Sequence, residues 1–234
     1  MKKIEVNAKA VIFDMDGVIT NTMPEHYLAW KKVFYRRGIK ISKFDVYCRE
    51  GQRGITGVRE IFSKYSKNPV SDSVLRAILK EKEETFKKIL KRRFVRGSCD
   101  FLKYLCRSGF KLALVTGTSR HEVHKILPKS IYDLFSVIIT GSDVRFGKPH
   151  PEPFRKALTK LAVDKNEAIV IENAPYGIES AQRAGLFCIA IETSLPKSFL
   201  KKADLIFPSI SVLRNRLSLK IPQTPNQAVN HHKP

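Results

Sequence analysis

A chain of 234 residues, 43% hydrophobic and 28% charged, can bury one core, or one core with a modest insert, and is too apolar to be disordered throughout. Lysine and arginine outnumber aspartate and glutamate 43 to 22, a net charge of +21, which attracts phosphorylated metabolites, nucleic acid or acidic lipid without choosing among them. No apolar run reaches the length of a membrane span, and the short one after the N-terminal lysines leads into acids, so neither a membrane anchor nor a signal peptide is expected.

In chain order, the first expected strand is AVIF (10–13). Residues 22–97 follow as a helical stretch, with segments near 24–37, 55–66 and 71–93 and a return at RGSC (96–99). Then strands and helices alternate. The strands are LALVT (112–116), VIIT (137–140), AIVIE (168–172), CIAIE (188–192) and DLIF (204–207). The helices are 99–108, 120–127, 151–162, 175–184 and a short one at 196–201. Most of these strands are apolar at every position instead of at alternate ones, the pattern of a parallel sheet covered on both faces. The fold expected is a doubly wound, Rossmann-like α/β core from 1–21 and 98–215, with 22–97 inserted as a helical cap. Residues 216–234, with three prolines and no periodicity, read as a disordered tail, and the composition of that tail accounts for His231 and His232. Cys48, Cys99, Cys106 and Cys188 show no C-x-x-C spacing and are expected as reduced thiols of a cytoplasmic protein, with Cys99 and Cys106 packing in the core. His121 and His124, three apart at a helix start, are expected to be structural. Trp30, Phe34 and Tyr35 are expected to pack the insert.

The chemistry gathers at strand ends, where open α/β sheets bind ligands. The first strand runs into Asp14 and Asp16, which face one side while Met15 points away, and Gly17 permits the turn that follows. Two acids there suit a hard cation, and a carboxylate can attack phosphorus if positive charge offsets the repulsion. Alone, D-x-D-G reads equally as a turn with capping acids. VTGTSR places Thr116, Gly117 and Thr118 at the second end, for phosphate oxygens or for simple helix capping. GKPHPEPF holds Lys148 before a proline, either a fixed cation for a transferring phosphoryl group or a surface lysine. VIENAPYGI ends a strand at Glu172 and Asn173, as oxygen ligands or as a cap.

FDMDGVIT, VTGTS, GKPHPEPF and VIENAPYGI, in this order at four strand ends, resemble the motifs of the haloacid dehalogenase superfamily, most closely its β-phosphoglucomutase-like group of phosphatases and mutases. The resemblance implies Asp14 as nucleophile, Asp16 as general acid and base, and Thr116 with Lys148 as the phosphate-binding pair. The amides of Asp16, Gly17 and Gly117 are further donors. It implies Mg2+ held by Asp14, the Asp16 main chain, Glu172 and Asn173. The chain departs from the group at Asn173, where aspartate is usual, so weaker metal binding is expected. The insert resembles the group's cap, with His26 near the catalytic acid, Lys82 as a cap lysine, and Arg53 of the loop REGQRGITG (49–57) reaching an anionic part of the substrate. A helix-surface histidine and a plain turn are the plainer readings of His26 and that loop.

The function expected is Mg2+-dependent hydrolysis of a small phosphomonoester through an aspartyl-phosphate. A sugar phosphomutase shares every catalytic residue and stays as the alternative. A nucleic-acid-binding protein on a weakly active scaffold is a further one, but the basic residues are spread along the chain without a nucleic-acid-binding motif. The substrate itself and the oligomeric state are not legible.

Overall fold

The computed structural model describes residues 3–66 and 69–222. Strand β2 (Ala10–Phe13) is central in a parallel six-stranded sheet. On one side lie β3 (Lys111–Val115) and then β4 (Val137–Ile139). On the other lie β5 (Ala168–Glu172), β6 (Phe187–Ile191) and β7 (Leu205–Phe207). Every residue of β2 is buried because both faces are covered. Ala10 and Ile12 belong to one hydrophobic cluster, Val11 and Phe13 to the other. The first cluster takes Phe154, Ala157 and Leu161 of α8 (Glu152–Leu161) with Ile178 and Ala181 of α9 (Pro175–Arg183). The second takes Leu102 and Leu105 of α5 (Ser98–Arg107), Val123 and Ile126 of α6 (Arg120–Ile126), Ile131 of α7 (Lys129–Tyr132), and Ile210 and Leu213 of α10 (Ile210–Arg216).

The chain winds outward from β2 to β3 and β4, then returns to β5 on the opposite side. The strand order therefore reverses at β2, and its carboxyl end opens into the crevice where this architecture binds ligands.

Four helices stand between β2 and α5: α1 (Met23–Tyr35), α2 (Lys43–Tyr47), α3 (Gly54–Tyr65) and α4 (Asp72–Ile89). Trp30, Val33 and Phe34 of α1 pack with Val58 and Ile61 of α3 and Leu75 and Ile78 of α4. The two strands of chain that join this cap to the core run side by side. Asn21 N donates to Arg93 O at 2.8 Å, Val95 N donates to Ile19 O at 2.9 Å, and Thr20 pairs antiparallel with Phe94.

Several expectations are corrected. Helix α4 ends at Ile89 because residues 93–95 are held extended by that pairing. The short helix near 196–201 is one 3-10 turn, Lys197–Phe199. Cys106 is exposed on α5 instead of packing in the core, while Cys48 and Cys188 are buried; all four thiols are free. The tail expected from 216 begins as structure: β8 (Leu217–Lys220) pairs in parallel with β1 (Ile4–Asn7), Ile4 facing Leu217 and Asn7 facing Lys220. The rest of that expectation, with His231 and His232, lies outside the described residues. His124 stacks on Tyr132 at 4.4 Å between ring centroids, a packing role. Among the described residues no helix is long and apolar enough to cross a membrane.

Candidate active site

Four of the strand ends named above meet at one point. Lys148 follows the loop after β4 and is 1% exposed. Its ammonium donates to Asp14 Oδ1 at 2.6 Å, to Glu172 Oε1 at 2.6 Å and to Val115 O at 3.1 Å. One cation thus ties the ends of β2, β3 and β5 together. Glu172 Oε2 accepts the amides of Asn173 (2.7 Å) and Ala174 (3.1 Å), so both its oxygens are engaged. Asp14 Oδ2 and Asn173 Oδ1 are buried and have no hydrogen-bond partner among the described residues.

Asp16, also fully buried, is held differently. Its Oδ1 accepts from Thr22 and, at 3.3 Å, from Thr20, and its Oδ2 accepts from Thr118 at 3.0 Å. His26 Nε2 lies 3.4 Å from Oδ1. The other ring nitrogen, Nδ1, is 3.0 Å from the Lys82 ammonium. An ammonium only donates, so Nδ1 accepts and the ring proton sits on Nε2, facing Asp16. Phe86 stacks on His26 at 4.2 Å, and the Lys82 ammonium lies over the rings of Phe86 and Trp30. The cap thus reaches the second acid through a lysine and a histidine.

These surroundings split the two acids. Burial pushes the Asp14 carboxyl up to about 8; Lys148 opposes the shift while Glu172 and Asp16 add to it. Burial also opposes charge on Asp16, but His26 and the Thr22 and Thr118 hydroxyls outweigh it and hold the group near about 2. The Lys148 ammonium would lose its proton more readily through burial alone, yet Asp14 and Glu172 hold it firmly protonated, above the ordinary lysine value. His26 is lowered by burial and by Lys82.

The smaller residues settle the geometry. Gly17 has φ +93°, and a Cβ there would lie 2.1 Å from Asn173 Nδ2, so this turn requires glycine. Its amide is spent on Thr20 O at 2.7 Å and is not the free donor the sequence implied. Asn173 Nδ2 donates to Asp16 O at 3.2 Å and to Ser194 Oγ at 2.8 Å. Thr116 Oγ1 accepts the Thr118 amide at 3.1 Å. Gly117 lines a cavity of about 360 Å3 between cap and core, with Thr118, His26, Lys82 and Arg53. Arg53 stays outside the catalytic cluster: its guanidinium donates to Arg145 O at 2.7 Å.

Sequence reasoning missed Thr20, Thr22, Ser194 and Glu50. The threonines had a signal, two polar β-branched residues within five positions of the D-x-D-G glycine. Ser194 had none, in a loop remote in sequence; Glu50 lies in the loop 49–57 singled out above, where the sequence points to Arg53 instead. Glu50, half-buried in the cap loop, has its carboxyl raised well above the usual range by burial and by the charges of Asp16 and Asp14.

Residues 11–191 match the family model of the haloacid dehalogenase-like hydrolases. The chain belongs to this family. Among curated relatives of this hydrolase, a phosphorylated carbohydrates phosphatase of Thermotoga maritima is 30% identical over 186 residues, spanning 76% of the chain and 82% of the relative. The β-phosphoglucomutase of Bacillus subtilis is 29% identical over 215 residues, 88% and 91% of the two chains. Validoxylamine A 7'-phosphate phosphatase of Streptomyces hygroscopicus is 27% identical over 207 residues, 88% and 96%. Among solved structures, β-phosphoglucomutase of Clostridium difficile superposes with a TM-score of 0.76 at 26% identity, covering 89% of this chain and 96% of that one. The doubly wound core with an inserted helical cap is thus the fold of this hydrolase family's β-phosphoglucomutase-like members.

Proposed function

We propose that this hydrolase cleaves a small phosphomonoester, a phosphorylated sugar or polyol, by way of an aspartyl-phosphate on Asp14, with Mg2+ as cofactor. The observation that carries the reading is the unpartnered, buried Asp14 Oδ2 beside a carboxylate and an ammonium that the fold holds fixed. The curated phosphatases and mutases among its relatives support the substrate class.

The residues present fit a hard cation. Asp14 Oδ2 and Asn173 Oδ1 are orphaned oxygen acceptors, and the Asp16 carbonyl lies beside Asn173. Among the described residues no group of three or more His, Cys, Asp or Glu forms a metal site by itself, so the carbonyl and amide oxygens are needed. Asp14, the Asp16 carbonyl and Asn173 would hold the ion, with Glu172 alongside. Bound there, Mg2+ would supply positive charge against the charge of the phosphoryl oxygens. The site needs that charge: burial, Glu172 and Asp16 all raise the Asp14 carboxyl, and Lys148 opposes them.

In the first half-reaction Asp14 Oδ2 forms a bond to phosphorus as the bond to the leaving oxygen breaks. Asp16 gives that oxygen a proton taken up from solvent as substrate binds, which requires the incoming phosphoryl charge to raise a carboxyl otherwise held at about 2. In the second, Asp16 takes a proton from water, water attacks phosphorus, and Asp14 is released as carboxylate. Lys148 and the Thr116 hydroxyl would hold the phosphoryl oxygens.

A phosphate-release screen over sugar phosphates, polyol phosphates, nucleotides and phosphoglycolate, with and without Mg2+, tests this. We expect Mg2+-dependent release from a subset, with a loss of at least about a thousandfold in Asp14→Asn. Undiminished release by Asp14→Asn would contradict the reading. A phosphomutase is the second reading, favoured by the β-phosphoglucomutase relatives; sugar-phosphate isomerisation that depends on a bisphosphate primer would establish it instead.

A further inference from the structure

Two buried acceptors on the cap–core cavity have nothing to accept. Gln52 and Glu122 are each 8% exposed. Each lines the cavity, and neither Gln52 Oε1 nor Glu122 Oε1 has a hydrogen-bond partner among the described residues. Their remaining polar atoms are engaged. Gln52 Nε2 donates to Glu60 Oε1 at 2.8 Å, and Glu122 Oε2 accepts from Ser119 at 3.4 Å. Gly57, on the same wall, leaves room before the amide: a Cβ there would stand 3.4 Å from Gln52 Oε1. A buried acceptor left unpaired is a penalty, so two of them on one cavity mark a place where a ligand brings donors.

Most cations around the same cavity are engaged elsewhere, and Arg76 lies on its exposed rim, 3.7 Å from Asp72. Arg49 donates to Glu60 at 3.1 Å and to Asp45 O at 2.9 Å, Arg53 donates to Arg145 O at 2.7 Å, and Lys82 is turned to His26. Opposite Glu122 stands Glu83 of α4, half-buried, its carboxyl raised by burial and then by the Glu122 charge. Among the described residues, apart from His26 Nε2, which faces Asp16, the buried unpartnered side-chain atoms on this cavity are acceptors, and beside Glu122 and Glu83 a second phosphate or a carboxylate would meet acids.

We propose that Gln52 and Glu122 are specificity-determining residues that read the leaving group, selecting one that carries hydrogen-bond donors, hydroxyls or an ammonium, over one that carries a second anion. The inference deepens the phosphatase reading and rests on it. It also disfavours a bisphosphate-bridged mutase cycle.

Binding is measured by calorimetry on full-length Asp14→Asn protein with Mg2+, using a hexitol phosphate, an amino-sugar phosphate, phosphoglycolate and a hexose bisphosphate. Glu122→Gln and Gln52→Met are then added separately to that background. The expected result is affinity for the hexitol or amino-sugar phosphate at least about tenfold above the two compounds that carry a second anion, and a loss of about tenfold or more on Glu122→Gln. A loss confined to the amino-sugar phosphate identifies an ammonium as the donor; a loss common to both identifies hydroxyls. Gln52→Met, which keeps the volume, should narrow the same preference. Preference for the bisphosphate or phosphoglycolate, equal or undetectable affinity for all four, or unchanged ratios in both variants would overturn the inference. Failure of the underlying reading appears separately, as phosphate release that survives Asp14→Asn.

Discussion

At the scale of single residues, the site is a problem of charge balance. Lys148 faces two carboxylates, and the position that would carry a third acid beside the metal is Asn173. An amide oxygen coordinates with less charge than a carboxylate. Asn173→Asp should therefore bind Mg2+ more tightly in a direct titration; equal affinity would refute that reasoning. The residue is also wedged, its Nδ2 shared between Asp16 O and Ser194 Oγ. Some of the gain should be offset by an oxygen facing the Asp16 carbonyl, which Ser194→Ala in the same background would not relieve. Much of this chemistry was legible beforehand. Asp14, Asp16, Thr116, Lys148, Glu172 and Asn173 each end or follow a strand, and strand ends can be read from apolar runs. Of the partners that tune them, His26 and Lys82 were implied only by the resemblance to the family's cap, and Ser194 and Glu50 were not read, because they come together only through loop and cap packing.

At the scale of elements, the cap loop 49–54 is where the cap packs against the catalytic cluster. Gly51 sits directly on Lys148: with φ +78°, an added Cβ would lie 2.3 Å from Lys148 Cδ. Gly51→Ala should push the loop off Lys148 and lower kcat/KM by about a hundredfold while leaving the core melting temperature nearly unchanged; full activity would show that this contact is not part of turnover. The cap has its own electrostatic pin. Asp45 is buried and accepts from the Ser42 amide at 2.8 Å, the Ser42 hydroxyl at 2.6 Å, Tyr65 at 2.7 Å and Lys64, fastening α2 to the end of α3. Burial opposes its charge, but the hydrogen bonds from Lys64, Ser42 and Tyr65 prevail and hold it well below the usual carboxylate range. A group depressed in the folded state contributes stability that is complete above its unfolded value, about 3.9, and is lost as pH falls further. Denaturation followed at pH 7 and at progressively lower pH should show Asp45→Asn destabilised relative to the parent at pH 7, with the difference shrinking below pH 4. A constant difference would contradict the assignment. Helix α2 escaped the sequence because five residues give no period, although Ser42 and Asp45 form its capping box in plain view.

At the scale of the whole molecule, the parallel sheet was legible because its strands are apolar on both faces, and the reversal of strand order at β2 then fixed where the four motifs had to meet. The β1–β8 pair was not legible. IEVN and LSLK are short and half polar because much of this small sheet faces solvent. Ending the chain after Arg216 should nonetheless lower stability by about 1–3 kcal/mol relative to ending it after Pro222, since it removes the buried Leu217 and the strand that pairs with β1. The chain carries a net charge of +21, and the proposed substrate is an anion. kcat/KM for a phosphomonoester should therefore fall as ionic strength rises, with kcat nearly constant.

The measurement that tests the central claim most directly is acid quenching of the Mg2+-loaded enzyme during turnover of its best phosphomonoester, followed by peptide mass analysis. The expected result is one phosphoryl group on the peptide containing Asp14, removed by hydroxylamine and absent in Asp14→Asn. Steady phosphate release with no such adduct, or a phosphoryl group on another residue, would contradict the account.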